Sequence, residues 1–287
     1  MTHDPLAHAT AQRLEFAIAA AKVAGAIVQR SFQESSLQIE TKADRSVVTE
    51  ADRSAERQLR AALTQDFPQD AIVGEEYGVT AGTSGWTWYL DPIDGTQAFV
   101  RGVPLFGTLI GAEYNGESRL GVIFLPVLGE IVYAAKGSGC FWQRGMHWDG
   151  AFGYSVVPSH RARVSTVASM SDAMFCTTWM QSFVDSGRVE VFSRMCEATG
   201  VFRGWGDCYG YALVATGRAE IMMDPQFNVW DAAPMLVILE EAGGCFTTLD
   251  GRADIHGGSG VATNRKLHAA TLRVIARAAA EKKLAER

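Results

Sequence analysis

Glu75-Glu76 is followed, one apolar run later, by Asp91-Pro92-Ile93-Asp94-Gly95-Thr96. Asp91 ends the run Trp86-Thr87-Trp88-Tyr89-Leu90, a position where a carboxylate is costly unless it is paired, protonated or bound to a cation. Pro92 cannot continue a strand ladder, so the chain turns and can bring Asp94 back beside Asp91, with the Ile93 carbonyl between them. Hard oxygens gathered on one tight turn suit Mg²⁺ far better than Zn²⁺, which prefers nitrogen and sulfur. The plainer alternative is that both aspartates merely hold a β-turn by bonding its backbone. Gly95-Thr96 adds what a plain turn does not need: N–H groups at a glycine that a phosphate can approach, and a hydroxyl beside them.

Two further acidic positions read as helix starts when taken alone. Asp231, in Val229-Trp230-Asp231-Ala232-Ala233-Pro234, would be an N-cap, and Asp52, in Thr49-Glu50-Ala51-Asp52, would complete a capping box. Glu75-Glu76 alone would be a solvated loop. In order and spacing, however, Glu75-Glu76-Tyr77-Gly78, Asp91 to Thr96, Trp230-Asp231-Ala232-Ala233 and Glu241-Ala242-Gly243-Gly244 form a pattern that separate turns and caps do not predict. The pattern resembles the inositol monophosphatase family of Mg²⁺-dependent phosphomonoesterases, over residues 10 to 280.

The resemblance implies a phosphoric monoester hydrolase, a layered α-β-α-β-α sandwich with an α+β half and an α/β half, and homodimers. It places the metal ligands on Glu75, Asp91, the Ile93 carbonyl, Asp94 and Asp231, holding two or three Mg²⁺ ions. Gly95 and Thr96 would bind phosphate. Thr96 and Asp52 would orient or deprotonate the attacking water, with Glu75 also among the catalytic groups, and Lys42 would stand near the substrate. Cations at such a site neutralise phosphate charge, lower the pKa of a bound water and stabilise the leaving alkoxide, so no covalent intermediate is required.

For the leaving alcohol, the segments Arg203-Gly204-Trp205-Gly206-Asp207-Cys208 and Gln97 to Thr108 are more similar to the histidinol-phosphate phosphatase branch of the family than to the inositol branch. A carboxylate at Asp207 suits an ammonium, which inositol phosphate lacks; its alternative is a helix N-cap. Asp224 matches an acidic family position beside the substrate, and Arg203 is a further expected contact. Gln97 and Pro225-Gln226-Phe227-Asn228 depart from the family's common forms. An inositol-1-phosphatase is the alternative, and a regulatory binding protein on the same fold is a third reading.

The elements that must carry these groups are legible from periodicity. Leu14, Ile18, Ala21, Ala24, Ile27 and Val28 predict a long amphipathic helix in the first thirty residues, and a second helix runs from about Thr49 to Asp66. Strands are expected at 71–73, 86–90, 105–113, 120–125 and 130–135. Asn115-Gly116 signals a type I′ hairpin, and Pro126 to Gly129 a second turn, which makes this sheet antiparallel. An irregular stretch from Gly145 to Ser159 divides residues 1–150, an α+β half with most of the metal ligands, from 151–287, an α/β half with Asp231 and the specificity residues. In the second half, strands at 164–168, 174–178 and 220–223 alternate with helices at 181–198, 208–217, 231–242 and 264–281, the last capped by Asn264.

Composition bounds the setting. The 287 residues are 47% hydrophobic and carry a net charge of −6, which disfavours nucleic acid and anionic membranes as partners, with no basic cluster beyond Lys282-Lys283. The five cysteines form no C-x-x-C pair, and no run approaches a membrane span, so a reduced, cytoplasmic enzyme acting on a small phosphate ester is expected.

Overall fold

The computed structural model describes residues 4–34, 37–42, 47–151 and 153–285, with side chains as far as residue 280, so Lys282-Lys283 lie outside the described side chains. Helix α1 (Pro5–Ser31) starts behind an Asp4 cap with proline in its first turn. It turns Ala17, Ala21, Ala24 and Val28 inward. A short ribbon of β1 (Ile39–Thr41) and β2 (Val47–Thr49) leads into α2 (Glu50–Asp66). The expected capping box is present there: Asp52 accepts from the Thr49 amide at 2.8 Å, and the Thr49 hydroxyl accepts from the Ala51 amide at 3.2 Å.

The first sheet contains β3 (Ala71–Gly74), β4 (Gly78–Thr80) and β5 (Trp86–Asp94). After the one-turn helix α3 (Thr96–Phe99) it continues through β6 (Gly107–Tyr114), β7 (Glu117–Leu125), β8 (Glu130–Ala135), β9 (Gly139–Arg144) and β10 (His160–Arg161). The spatial order is β10-β9-β8-β7-β6-β5-β3-β4, antiparallel throughout except for the parallel pair β3 and β5. Asn115 and Gly116 take φ of 51° and 77°, the left-handed pair that a type I′ turn requires. The register of β5 against β6 shifts between Asp91 and Asp94, because Pro92 has no N–H to give the ladder.

The second half contains β11 (Met174–Cys176), α4 (Met180–Asp185), α5 (Val189–Ala198), β12 (Val201–Arg203), α6 (Asp207–Ala215), β13 (Ile221–Asp224), α7 (Val229–Glu241), β14 (Cys245–Thr247), β15 (Gly260–Thr263) and α8 (His268–Ala285). Its sheet runs β12-β11-β13-β15-β14, parallel on the first three strands and antiparallel on the last two. Layering follows the apolar faces. Helices α1 and α2 cover one side of the first sheet, α6 and α7 lie between the sheets, and α5 and α8 close the outer side of the second.

The paired glycines Gly111 and Gly121 set the closeness of that middle layer. A Cβ on Gly111 would come within 2.6 Å of the Ala233 Cβ, and one on Gly121 would overlap the Pro234 backbone, so α7 rests directly on the sheet.

Several local expectations change. Residues 164–168 form no strand: Val164 bonds the Ala242 carbonyl at 3.1 Å, and the Asn264 amide group holds Ser165 and Val167 at 2.9 and 2.8 Å, so side chains replace a ladder. The helix expected at 181–198 breaks into α4 and α5 at Gly187, whose φ is 66°. Asn264 caps a turn through the Leu267 amide at 3.1 Å, and α8 begins only at His268.

Candidate active site

The bend at the end of β5 gathers the acidic groups. The Asp91 carboxylate accepts from the Ile93 amide at 3.0 Å, while Thr108 holds the Pro92 carbonyl at 2.9 Å, which fixes the turn from both sides. Asp231 stands in the first turn of α7 and accepts from the Asn228 amide at 3.1 Å; Asn228 rather than Asp231 is the N-cap, and the two form a capping box. Asp91, Asp94 and Asp231 each offer an oxygen within 4.8 Å of the others.

So many buried acids repel one another. Burial raises the pKa of Asp94 to about 8 and that of Asp231 to about 7, with the neighbouring charges of Asp231 on the former and of Glu75 on the latter adding to it. Asp91, fully enclosed, is raised well above the ordinary range by burial first and then by Glu75, Asp94 and Asp231. An all-oxygen set that is costly as bare anions fits a hard divalent cation, which would replace the protons and cancel the repulsion.

Glu75 borders this trio but faces another partner. The Glu56 carboxylate of α2 accepts from the Glu76 and Tyr77 amides at 2.8 and 3.2 Å, which shapes the loop after β3. Lys42 then reaches Glu75 at 2.9 Å and Glu76 at 2.7 Å. Burial alone would lower the Lys42 pKa, but these hydrogen bonds outweigh it and raise it.

Gly95 takes φ of 88° and starts α3, with Thr96 as its first residue. The Thr96 hydroxyl donates to the Ile93 carbonyl at 2.9 Å and lies 3.5 Å from Asp52 Oδ1. Asp52 is 1% exposed. Burial, opposed by hydrogen bonds from Thr49, raises its pKa to about 6.

Beside the trio opens a cavity of about 170 Å³, whose lining includes Asp94, Asp231, Asp207 and Asp224. Asp224 accepts from Thr177, the Thr178 amide and the Tyr211 hydroxyl at 3.3, 3.1 and 3.0 Å. Asp207 does not cap α6, since Gly206 takes that position. Instead its φ of 49° is an unusual value for a side-chain-bearing residue, held by its amide on Thr178 at 2.7 Å and by the Cys208 amide on Asp94. Burial, then the charges of Asp94 and Asp224, raise the Asp207 pKa well above the usual range.

Arg203 is not brought to this cavity. It lies on the edge strand β12, exposed, and its guanidinium turns to the Phe202 carbonyl at 2.7 Å and toward the Trp205 ring. Conversely, Thr178, Trp179 and Ser182 line the cavity without any sequence signal, because they sit at a strand-to-helix junction that matches no motif. A larger cavity of about 490 Å³, bordered by Val191, Leu249, Arg252 and Ile275, lies outside this acidic group.

Comparisons with known proteins show the family. A histidinol-phosphatase of Chlorobaculum parvum is 38% identical over 248 residues, covering 86% of this chain and 90% of that protein. One of Mycobacterium tuberculosis is also 38% identical, over 268 residues, covering 93% and 96%. The solved structure of a Thermotoga maritima IMPase superposes with a TM-score of 0.79 at 29% identity, covering 94% of this chain and 99% of that one. The sequence matches the Inositol monophosphatase family over residues 10–282, and with its layered fold this chain belongs to that family and is a phosphoric monoester hydrolase.

Proposed function

We propose that the chain is a Mg²⁺-dependent histidinol-phosphate phosphatase, converting L-histidinol phosphate and water into L-histidinol and phosphate. The observation that carries the substrate is the pair Asp207 and Asp224 in the cavity next to Asp94 and Asp231. A leaving alcohol with an ammonium group would be stabilised there, whereas a neutral polyol would face carboxylates that it cannot neutralise. The relatives with histidinol-phosphatase names support the same reading.

In this reading Asp91, the Ile93 carbonyl, Asp94, Asp231 and Glu75 hold two or three Mg²⁺ ions. Such ions supply charge neutralisation on the phosphate and a lowered water pKa. Gly95 and Thr96 receive the phosphate oxygens. The Thr96 hydroxyl, donating to the Ile93 carbonyl, fixes the attacking water, and Asp52 Oδ1 takes its proton. With a pKa of about 6, Asp52 is ionised at pH 7 to 8 yet still basic enough to accept that proton. Lys42 partly neutralises Glu75 and Glu76 before a cation arrives.

We further take the protein to be a cytoplasmic homodimer whose two halves divide near residue 150. Side-by-side phosphate release on L-histidinol phosphate and inositol 1-phosphate tests the substrate. A preference of tenfold or more for the former, about 1.4 kcal/mol in the transition state, is expected; the reverse preference would replace it with the inositol reading.

A further inference from the structure

Two aromatic side chains share the wall of the acidic cavity, Trp179 and Phe227, and Phe227 is already stacked on Tyr211 with ring centroids 5.1 Å apart. Trp179 lines the cavity together with Asp207, Asp224 and Ser182, yet 62% of its surface is exposed. The protein buries such rings where it uses them for packing: Trp86 and Trp88 are 4% and 0% exposed. An indole left open in the wall of this cavity contributes little to the core and is free to meet whatever enters.

Its backbone, by contrast, is rigidly placed. The preceding Thr178 is tied on both sides, its amide to Asp224 at 3.1 Å and its hydroxyl to the Asp207 amide at 2.7 Å. The Trp179 carbonyl accepts from both the Ser182 amide and the Ser182 hydroxyl, at 3.1 and 2.6 Å. The Asp224 carboxylate and the Asp207 backbone amide are therefore both bonded to the residue that precedes this ring.

We propose that Trp179 is a specificity residue that stacks on a planar, cationic or heteroaromatic ring of the leaving alcohol while Asp207 and Asp224 hold its amine. This rests on the substrate class proposed above and deepens it: the cavity then reads two features of one molecule, a positive charge by the carboxylates and a flat ring by the indole. Indole is the side chain best suited to a ring that is also positively charged, since its π-face attracts cations. Polyols offer no such ring, so the same wall discriminates against them.

The test uses the full-length enzyme with Mg²⁺, steady-state kinetics on L-histidinol phosphate, and the variants Trp179→Ala and Trp179→Phe. Because the side chain is mostly exposed, both variants should keep the wild-type circular dichroism and melting temperature. Trp179→Ala should lower kcat/KM by at least tenfold, largely through KM, whereas Trp179→Phe should stay within threefold. For 2-aminoethyl phosphate, which has the ammonium but no ring, Trp179→Ala should change kcat/KM by less than threefold. Less than a threefold loss on histidinol phosphate in Trp179→Ala, an equal loss in Trp179→Phe, or an equal loss on the ringless substrate would each overturn the stacking role. If the wild-type enzyme does not hydrolyse histidinol phosphate, the substrate proposal itself is overturned, and that result is separate from any behaviour of the variants.

Discussion

Lys42 Nζ lies 2.9 Å from the carboxylate of Glu75, so a lysine holds the acid that borders the Asp91–Asp94–Asp231 trio. If Glu75 holds a cation as proposed, the amine and the cation would compete for the same oxygens. Lys42→Met should therefore lower the Mg²⁺ concentration for half-maximal activity, by roughly threefold to tenfold, or about 1 kcal/mol. Magnesium titrations of the two enzymes measure this, and an unchanged or higher requirement would refute competition.

Asp94, like Asp231, stands both in the trio and in the wall of the adjoining cavity. Asp94→Asn should cut kcat by about 10³-fold or more, on the scale of losing one metal-held charge in the transition state. The same change removes a repelling charge, so the cation-free variant should melt at a higher temperature than wild type at pH 8. Calorimetry in EDTA reads that sign directly, and a lower melting temperature would contradict the electrostatic account.

Stability should depend on pH in a defined direction. In the cation-free fold Asp94 and Asp231 keep their protons to about pH 8 and about pH 7, against an ordinary carboxylate value of 3.8. Folded pKa values above unfolded ones mean that the folded state binds protons more tightly. The stability they contribute is fully present below pH 4 and is lost as pH rises through 7 and 8. Melting temperature in EDTA should fall between pH 5.5 and 8.5, and added Mg²⁺ should raise it more at pH 8.5 than at 5.5. A Mg²⁺ effect that is equal at both pH values would speak against protons and cation sharing these carboxylates.

Mutation can separate the capping role of Asp52 from its proposed role as proton acceptor. Asp52→Asn removes the proton acceptor and should lower kcat by about 10²- to 10⁴-fold with little change in KM. It should also flatten the acidic limb of the pH–rate profile, expected near pH 6. Thr49→Ala disturbs the capping box of α2, at about 1 kcal/mol, and removes one hydrogen bond from the Asp52 carboxylate, but keeps the carboxylate itself. If Thr49→Ala lost as much activity as Asp52→Asn, the role of Asp52 would be structural.

The contact between α7 and the first sheet is equally open to test. Gly121→Ala places a methyl against the Pro234 backbone and should cost about 2–3 kcal/mol of stability, since backbone cannot step aside as a side chain can. Chemical denaturation measures it. A loss below about 0.5 kcal/mol would mean that the helix shifts freely.

The parts of this molecule that the sequence makes legible are those with local chemistry. The Thr49–Asp52 capping box, the Asn115-Gly116 turn and the proline-broken end of β5 each follow from a few adjacent residues. The strands β14 and β15 are not anticipated from the sequence. Residues 164–168 misled because Val164 and Val167 look like a strand, while their partners are the distant Ala242 and Asn264. At the site, the family motifs point to the acidic groups, but nothing around Trp179 or Thr178 announces that the chain folds them onto Asp224 and Asp207.

Helix α7 rests on Gly111 and Gly121 and carries Asp231 in its first turn, facing Asp91 and Asp94 at the end of β5. A cation held by all three would act as a removable cross-link between segments far apart in the chain. Its strength then reports on the seating of the helix. Any change that lifts α7 by a fraction of an ångström, however remote from the carboxylates, would weaken the cross-link first and appear as a raised magnesium requirement well before the protein loosens. Ion affinity in this enzyme would thus be a sensitive gauge of how well its middle layer is assembled.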